Sequence, residues 1–340
     1  MKNNKSGFTL IELLIVIGII AILAVSIIIA INPGQQFAQA RDATRQGHIN
    51  SLNQAILSYM VSNHGDLSGL NIPPTPTEIC AVTSTCEGLV NLEPLLTGGH
   101  LSAIPIDPSG GTLTNGSGYR IFTYGSDPAI HASKAETRAI QIGNWSFTDP
   151  RDGNAYKTVL IGDQLWMAEN LKATQYTNGE AIPTGYDNTA WAALSTGAYA
   201  VYDHTLVDGI DSEQQMIDMY GLLYNGYAAK DSRGICPTGW RVSTDNDWKI
   251  LEMYLGMTET DVNVTGWRNS GDVGKKLKYN LRNPDNQNAD HPRWNYNATH
   301  YGVDSVGFSA LPGGFRHYSN GVFYDLGTVG DWWSFDGAAS

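Results

Sequence analysis

Residues 8–31 read FTLIELLIVIGIIAILAVSIIIAI, and within this run Glu12 is the single charged residue. As one helix the run would rise about 36 Å at ~1.5 Å per residue, enough to cross a hydrocarbon core of roughly 30 Å. A cleaved secretory signal is disfavoured, because the apolar run is too long and no small-x-small site follows it. The run therefore predicts a membrane helix. Because a buried carboxylate usually has a partner in the membrane, Glu12 is either functional or an incidental residue of a plain anchor.

The residues around Glu12 form a recognisable motif. Gly7-Phe8-Thr9-Leu10-Ile11-Glu12, with a short basic leader before it and the apolar run after it, resembles the type IV pilin signature. The resemblance implies that prepilin peptidase cleaves between Gly7 and Phe8 and methylates the new amine of Phe8. It also implies that Glu12 pairs with this amine in a neighbouring subunit. A buried carboxylate and a buried amine neutralise each other and set the axial register of the filament.

The helix is predicted to continue beyond the membrane. Pro33-Gly34 should kink or locally melt it, and Asn63-His64-Gly65 is a reasonable stop. Between them, apolar residues recur at helical spacing: Ile49, Leu52, Ile56 and Tyr59. This face is predicted to pack onto a small head, residues 66–142, as in pilins.

In the head, Cys80 and Cys86 bracket a short loop. Outside the cytoplasm such a pair favours a disulfide over a metal site, since no His or second Cys pair is nearby. Residues 118–124 have the alternation of a half-buried strand and resemble a strand of small pilin heads.

The second half of the chain has a different composition. Residues 1–143 hold 7 of the 21 basic and 9 of the 33 acidic residues, which places −10 of the net charge of −12 after them. All nine Trp also follow residue 143. Two compositions indicate two modules, and the acidity argues against a nucleic-acid partner, which would favour basic stripes.

Four motifs of the second half occur in order: 220–225 (YGLLYN), 235–242 (ICPTGWRV), 308–316 (FSALPGGFR) and 331–334 (DWWS). Before them, Asp152-Gly153 and Gly162-Asp163 flank a predicted strand at 156–161. The whole stretch resembles the Fibrobacter succinogenes major paralogous domain. The resemblance implies an extracytoplasmic domain related in fold to C-type lectins and formylglycine-generating enzymes, with short helices on small, irregular sheets.

The chain departs from this family at its end. Members usually continue past the WWS motif for several dozen residues and include a late Cys, which would pair with Cys236. We therefore expect the domain to be C-terminally truncated and Cys236 to be unpaired.

No motif of the second half indicates catalysis. Thr244 and Asp247 precede a helical apolar pattern and predict a capping box. The acidic residues between 203 and 213 do not have EF-hand spacing and favour a solvated loop over Ca²⁺. HExxH and GxSxG are missing from the sequence, and one Cys cannot supply the pair used by the formylglycine-generating relatives. The prediction is a non-enzymatic module without metal or cofactor.

Aromatic and amide residues are the remaining candidates for ligand contact. Aromatic faces stack on sugar C–H surfaces, amides hydrogen-bond to hydroxyls, and both also serve as protein contacts. Trp332 and Trp333 are predicted to lie in the core. The candidate ligand-binding residues are Trp294, Tyr296, His317, Tyr318, Asn320 and Tyr324.

Together these patterns predict an α+β protein with five segments. They are a leader (1–7), a membrane and filament-core helix (8–31), an amphipathic half-helix (32–65), a β head (66–142) and a lectin-like domain (143–340). The predicted function is a pilin-like subunit that displays the last domain for adhesion. It would reside first in the cytoplasmic membrane and then in an extracellular pilus. Its expected partners are other pilin subunits, prepilin peptidase, the assembly platform and a glycan or surface protein. The alternatives are a pseudopilin of a secretion or DNA-uptake system, and a membrane-anchored carbohydrate-binding protein that never polymerises.

Overall fold

The computed structural model describes most of the chain after residue 32 and a short part before it. The described residues are 10–11, 13–20, 33–82, 85–124, 127–137, 139–143, 146–266, 268, 270–279, 291–295, 297, 299 and 301–336. Residues 10–11 and 13–20 are helical. Within the described part, no helix combines the length and apolarity needed to span a bilayer, and residues 8–9, 12 and 21–31 of the predicted membrane helix lie outside it.

A long helix, α1 (Pro33–Ser62), supports the head. The kink predicted at Pro33-Gly34 falls at the border of the described residues, because residues 21–32 lie outside them. The predicted apolar face is confirmed: Ile49, Leu52 and Ile56 are buried, and Tyr59 packs against the same core. The helix ends at Ser62, and the Gly65 N–H donates to the Met60 carbonyl at 2.8 Å.

A buried ion network ties α1 to the loops of the head. The Arg45 side chain is fully buried, and its guanidinium donates to Asp107 at 2.8 Å, to Asp42 at 2.8 Å and to Glu136 at 2.7 Å. Burial lowers the pKa of Arg45, but the hydrogen bonds to the three carboxylates outweigh this effect and raise it above its usual range.

The head sheet is antiparallel, with its strands in sequence order. It packs on α1 over one continuous apolar core, which also includes residues of a short helix, α2 (Glu93–Thr97). The strands are β1 (Thr77–Cys80), β2 (Gly116–Tyr124), β3 (Asp127–Ala132) and β4 (Gln141–Gly143).

In its described residues, the second module has short elements and three small antiparallel sheets. Its strands are β5 (Ser146–Thr148), β6 (Ala155–Ile161), β7 (Gln164–Met167), β8 (Tyr199–Ala200), β9 (Leu223–Tyr224), β10 (Gly313–Arg316) and β11 (Phe323–Leu326). Its helices are α3 (Asn188–Ala192), α4 (Glu213–Tyr220), α5 (Gly226–Ala229), α6 (Asp245–Tyr254) and α7 (Val273–Leu277). Strands β5 to β7 form one sheet, β8 pairs with β9, and β10 pairs with β11. The α+β class is as predicted.

The head and the second module share a packed junction. Phe122 and Ala129 of the head form one buried cluster with Leu160 of β6. At the edge of this cluster, the Tyr254 hydroxyl donates to the Ser133 carbonyl at 2.6 Å. Arg120 of β2 pairs with Asp163 of the β6–β7 turn. The second module is therefore docked on the outer face of the head sheet.

Candidate ligand-binding surface

The β10–β11 hairpin brings four of the predicted ligand-binding residues together. Phe315 lies opposite Tyr324 in the antiparallel register. The His317 N–H donates to the Val322 carbonyl and the Gly321 N–H donates to the His317 carbonyl, each at 2.9 Å, which closes the turn. His317, Tyr318, Asn320 and Tyr324 all lie on this turn or beside it.

The hairpin carries a ladder of aromatic rings. The His317 and Tyr318 rings are stacked, with centroids 4.9 Å apart and planes 22° apart. His317 also contacts Tyr324 edge-on at 6.1 Å, and Tyr324 lies 5.7 Å from Phe315. Because Tyr318 is 80% exposed and Tyr324 is 38% exposed, the ladder ends at the solvent.

Asn320 has a structural role that the sequence reasoning did not assign to it. Its Oδ1 accepts from the Val322 N–H at 3.0 Å, which shapes the turn, and its Nδ2 donates to the Tyr324 hydroxyl at 3.0 Å. Both ends of the amide therefore contact the hairpin itself, and Asn320 holds Tyr324 in place.

Arg316 clamps the hairpin from its other face. Its guanidinium lies between the rings of Trp191 (4.4 Å) and Phe323 (4.9 Å). The Nε atom donates to the Gly321 carbonyl at 2.8 Å, and Nη2 donates to the Tyr186 carbonyl at 2.8 Å. Burial lowers the pKa of Arg316 from its usual value. Sequence patterns do not indicate this role, since two of the partners, Trp191 and the Tyr186 carbonyl, come from a distant part of the chain.

The turn itself lies against α3. Gly321 has φ +70°, and a Cβ built there would lie 2.2 Å from the Asn188 carbonyl oxygen. A side chain at this position would displace the turn from α3, so glycine is required both by conformation and by space.

A cleft of about 210 Å³ opens at the far end of β11. Its residues come from three separate segments of the chain: Tyr202, Leu206, Val207, Asp208, His291, Arg293, Asn295, Leu326 and Gly327. The Tyr220 hydroxyl contacts His291 Nδ1 at 2.7 Å and accepts from the Arg293 N–H at 3.1 Å, which fixes one wall. The sequence reasoning did not identify this cleft.

Comparisons with known proteins agree with the two-part organisation. The model of the Fibrobacter succinogenes major domain matches residues 159–340, more than half of the chain. The chain belongs to this family. The prokaryotic N-terminal methylation motif matches residues 2–28. No curated protein and no solved structure matches the chain.

With its methylation motif, this member of the Fibrobacter succinogenes major domain family is a type IV pilin-like protein. The motif implies prepilin peptidase and pilin subunits as general partners and fits a membrane-anchored precursor. Gly7, Phe8 and Glu12, which are the predicted processing and assembly residues, lie outside the described residues, as does Tyr296.

Trp294 lies apart from the ring ladder and is used by the fold. Its indole N–H donates to the Ala310 carbonyl at 2.8 Å, and the Lys278 ammonium lies 4.3 Å from its ring centroid. These contacts cover part of the surface that a ligand would need, so the geometry gives Trp294 a packing role.

The two tryptophans of the WWS motif have different environments. Trp332 packs against Trp248 and Phe308, as predicted for a core residue. For Trp333 the core prediction was wrong, because 42% of the residue is exposed. Its indole N–H still donates to the Tyr224 carbonyl at 2.8 Å, so the ring is anchored at one edge.

The three cysteines have two environments. Cys80 and Cys86 are joined by the disulfide that the sequence predicts. Cys236 is a free thiol within the described part of the chain, and burial raises its pKa to about 11. Its sulfur is therefore a poor nucleophile near neutral pH.

The capping box of the family domain is confirmed. The Thr244 hydroxyl accepts from the Asp247 N–H at 3.2 Å, and the Asp247 carboxylate accepts from the Thr244 N–H at 2.8 Å. Hydrogen bonds from Arg241 are the main reason why the pKa of Asp247 lies far below its usual range. This carboxylate therefore begins a helix and carries no proton to exchange.

Proposed function

We propose that this protein is a filament subunit that presents its Fibrobacter succinogenes major domain for adhesion, with the β10–β11 hairpin as the contact surface. The observation that carries the proposal is the ring ladder of this hairpin. Tyr318 is the exposed end of the ladder, and the His317 ring stacks on it. Arg316 fixes the turn of the hairpin by donating to the Gly321 carbonyl. Rigid, exposed aromatic side chains are good contact residues because little rotamer entropy is lost on binding.

The packed junction supports display in a defined direction. A domain joined to the pilin head only by a flexible linker would rotate freely relative to it. Here Leu160 packs into the head sheet, and Tyr254 bonds to the head backbone. A filament of such subunits would hold each hairpin at a constant angle to its axis.

We propose that the domain has no catalytic activity. Three carboxylates of the described residues pair with arginines: Asp149 with Arg151, Asp231 with Arg233 and Asp247 with Arg241. These pairs stabilise the charged form of each acid, and an acid that is always ionised at neutral pH is a poor proton donor.

The fate of the processed protein tests the filament role. Mass spectrometry would be applied to sheared surface filaments and to membranes of the producing bacterium. We expect a chain that begins at methylated Phe8 in the sheared fraction. Processed protein confined to membranes would indicate a pseudopilin, and an intact Met1 leader would indicate a non-polymerising anchor.

The Glu12→Ala variant tests the assembly step. Membrane insertion and cleavage should persist, because the apolar helix and the Gly7–Phe8 site are unchanged. Incorporation into filaments should fall strongly, since the methylated amine of a neighbouring subunit loses its counter-charge. Normal incorporation of the variant, measured by immunoblot of sheared filaments, would contradict the role of Glu12.

The adhesive role is tested by Tyr318→Ala in assembled filaments. Tyr227→Ala is the matched control, because Tyr227 is 54% exposed in the same domain but lies on α5. We expect adhesion of piliated cells to fall for the first variant and to be unchanged for the second. Equal adhesion of wild-type cells and of cells lacking the protein would reject the adhesive role.

A further inference from the structure

We infer that the hairpin binds uncharged sugar rings, with Tyr318 as the stacking platform and the Tyr324 hydroxyl as a hydrogen-bond donor. This inference rests on the proposed function, because it names the ligand class of the same surface. Three features carry it: a fixed ring at the surface, a directed hydroxyl beside it, and the sign of the surrounding charge.

The Tyr318 ring is held in place from one side. His317 stacks on it, and the His317 ring is itself fixed by the Ser319 N–H, which donates to Nδ1 at 3.2 Å. The Ser319 hydroxyl also contacts Nδ1, at 3.0 Å. With one ring face against His317 and 80% of the residue exposed, the other face is presented to solvent. A flat apolar face of this kind suits the C–H face of a pyranose.

The Tyr324 hydroxyl is oriented by Asn320. A phenolic oxygen can accept one hydrogen bond while its own hydrogen is donated to another group. Because the Asn320 Nδ2 group already donates to this oxygen, the hydroxyl acts as acceptor within the hairpin. Its hydrogen is then available for an acceptor oxygen of a ligand, such as a sugar hydroxyl. Tyr318 and Tyr324 both contact His317, so the platform and the donor are neighbours.

The charge of the surroundings selects against acidic ligands. The chain after residue 143, which forms the displayed domain, carries −10 of the net charge of −12. Arg316 is turned inward between two rings. A carboxylated sugar would therefore approach acids without gaining a guanidinium partner, which costs affinity.

The experiment uses the processed full-length protein in detergent. The immobilised probes are neutral mannan, galactan, dextran and xylan, together with oxidised forms that carry carboxylates. The variants are Tyr318→Ala, Tyr324→Phe and the control Tyr227→Ala, and circular dichroism checks that each one is folded.

We expect binding to at least one neutral polymer and weaker binding to its oxidised form, with the difference reduced at high salt. Tyr318→Ala should weaken binding about tenfold or more, as for a stacked anchor residue. Tyr324→Phe keeps the ring but removes the donor, and should weaken binding severalfold. Tyr227→Ala should leave binding unchanged.

Several outcomes would overturn the inference. They are a preference for the oxidised polymers, undiminished binding by Tyr318→Ala, or no binding to any of the polymers. A proline-rich peptide is a second probe, because such peptides also dock on aromatic surfaces, and its exclusive binding would assign the hairpin to protein ligands. In each of these cases the sugar assignment fails. If cells with Tyr318→Ala filaments nevertheless lose adhesion, the adhesive role of the hairpin is still supported.

Discussion

The pilin head and the Fibrobacter succinogenes major domain are stabilised in different ways. The head has one continuous core between α1 and the four-stranded sheet. In the described part of the second domain, the apolar residues are divided among several smaller clusters. A long helix and a sheet each offer a broad apolar face, whereas strands of two to seven residues do not.

The second domain compensates with arginine side chains that bond to backbone carbonyls. Arg151 donates to the carbonyls of Gln175 and Ile235, and Arg316 donates to those of Gly321 and Tyr186. A guanidinium has five N–H donors and a flat apolar face, so one side chain can fix two loops. A domain poor in regular structure can therefore still present a rigid surface.

The largest expected effect is in the head, at the buried ion network. Arg45→Met should lower the free energy of unfolding by about 3–5 kcal/mol, because buried Asp42 and Asp107 lose their counter-charge. Chemical denaturation of the full chain measures this change. Arg41→Ala is the control: Arg41 pairs with Glu136 at the surface, and we expect only a small effect. Equal effects of the two variants would show that burial of Arg45 contributes little.

The second-largest effect is expected at the junction between the head and the second domain. Leu160→Ala removes a side chain that packs between the domains and should cost about 2 kcal/mol, the lower end for buried leucine, because the boundary can partly close the gap. It should also loosen the docking, which limited proteolysis between the domains would detect. Unchanged proteolysis together with reduced stability would show that other junction contacts keep the domains docked.

A pH-dependent effect is expected from His131, which is buried at the same junction. Burial, and then the charge of Arg120, lower its pKa to about 3. An unfolded histidine has a pKa of about 6.5, so the unfolded chain binds more protons between these values. Stability from neutral His131 should therefore be fully present above about pH 6.5 and be lost as the pH falls toward 3.

The measurement is the melting temperature between pH 7 and pH 5, above the range in which carboxylates titrate. The His131→Gln variant should show a flatter pH profile than the wild type. The control is His64→Gln, in which an exposed residue is replaced. An identical slope for wild type and His131→Gln would contradict the assignment.

The smallest expected effect on global stability is at the hairpin clamp. Arg316→Lys keeps a positive charge but loses the flat stacking group and one of two directed hydrogen bonds, at a cost of about 1 kcal/mol. Hydrogen exchange at the Gly321 and Val322 amides should increase. The matched control is Arg233→Lys, which loses a comparable stack on Tyr176 elsewhere in the domain. If exchange at the hairpin rises equally in both variants, Arg316 has no local clamping role.

Features that depend on residues close together in the chain could be predicted from the sequence. The apolar face of α1, the capping box at Thr244, the Cys80–Cys86 pair and the strand at 156–161 each depend on residues a few positions apart. The ring ladder could be predicted in part, because His317 and Tyr324 lie close together in the sequence, on one hairpin. In contrast, the cleft beside β11 could not be predicted from the sequence, since its walls come from segments far apart in the chain.

The local pattern of the chain therefore indicated several of its elements, its apolar N-terminal segment and the methylation motif, because these depend on covalent spacing. Tertiary structure alone decided how these parts meet. It placed Leu160 against the head sheet, turned the amide of Asn320 back onto Tyr324, and left Trp333 exposed while Trp332 packed inside. The physical reason is that burial and hydrogen-bond partners depend on the neighbours that long-range folding supplies, and adjacent residues of the same type can receive different neighbours.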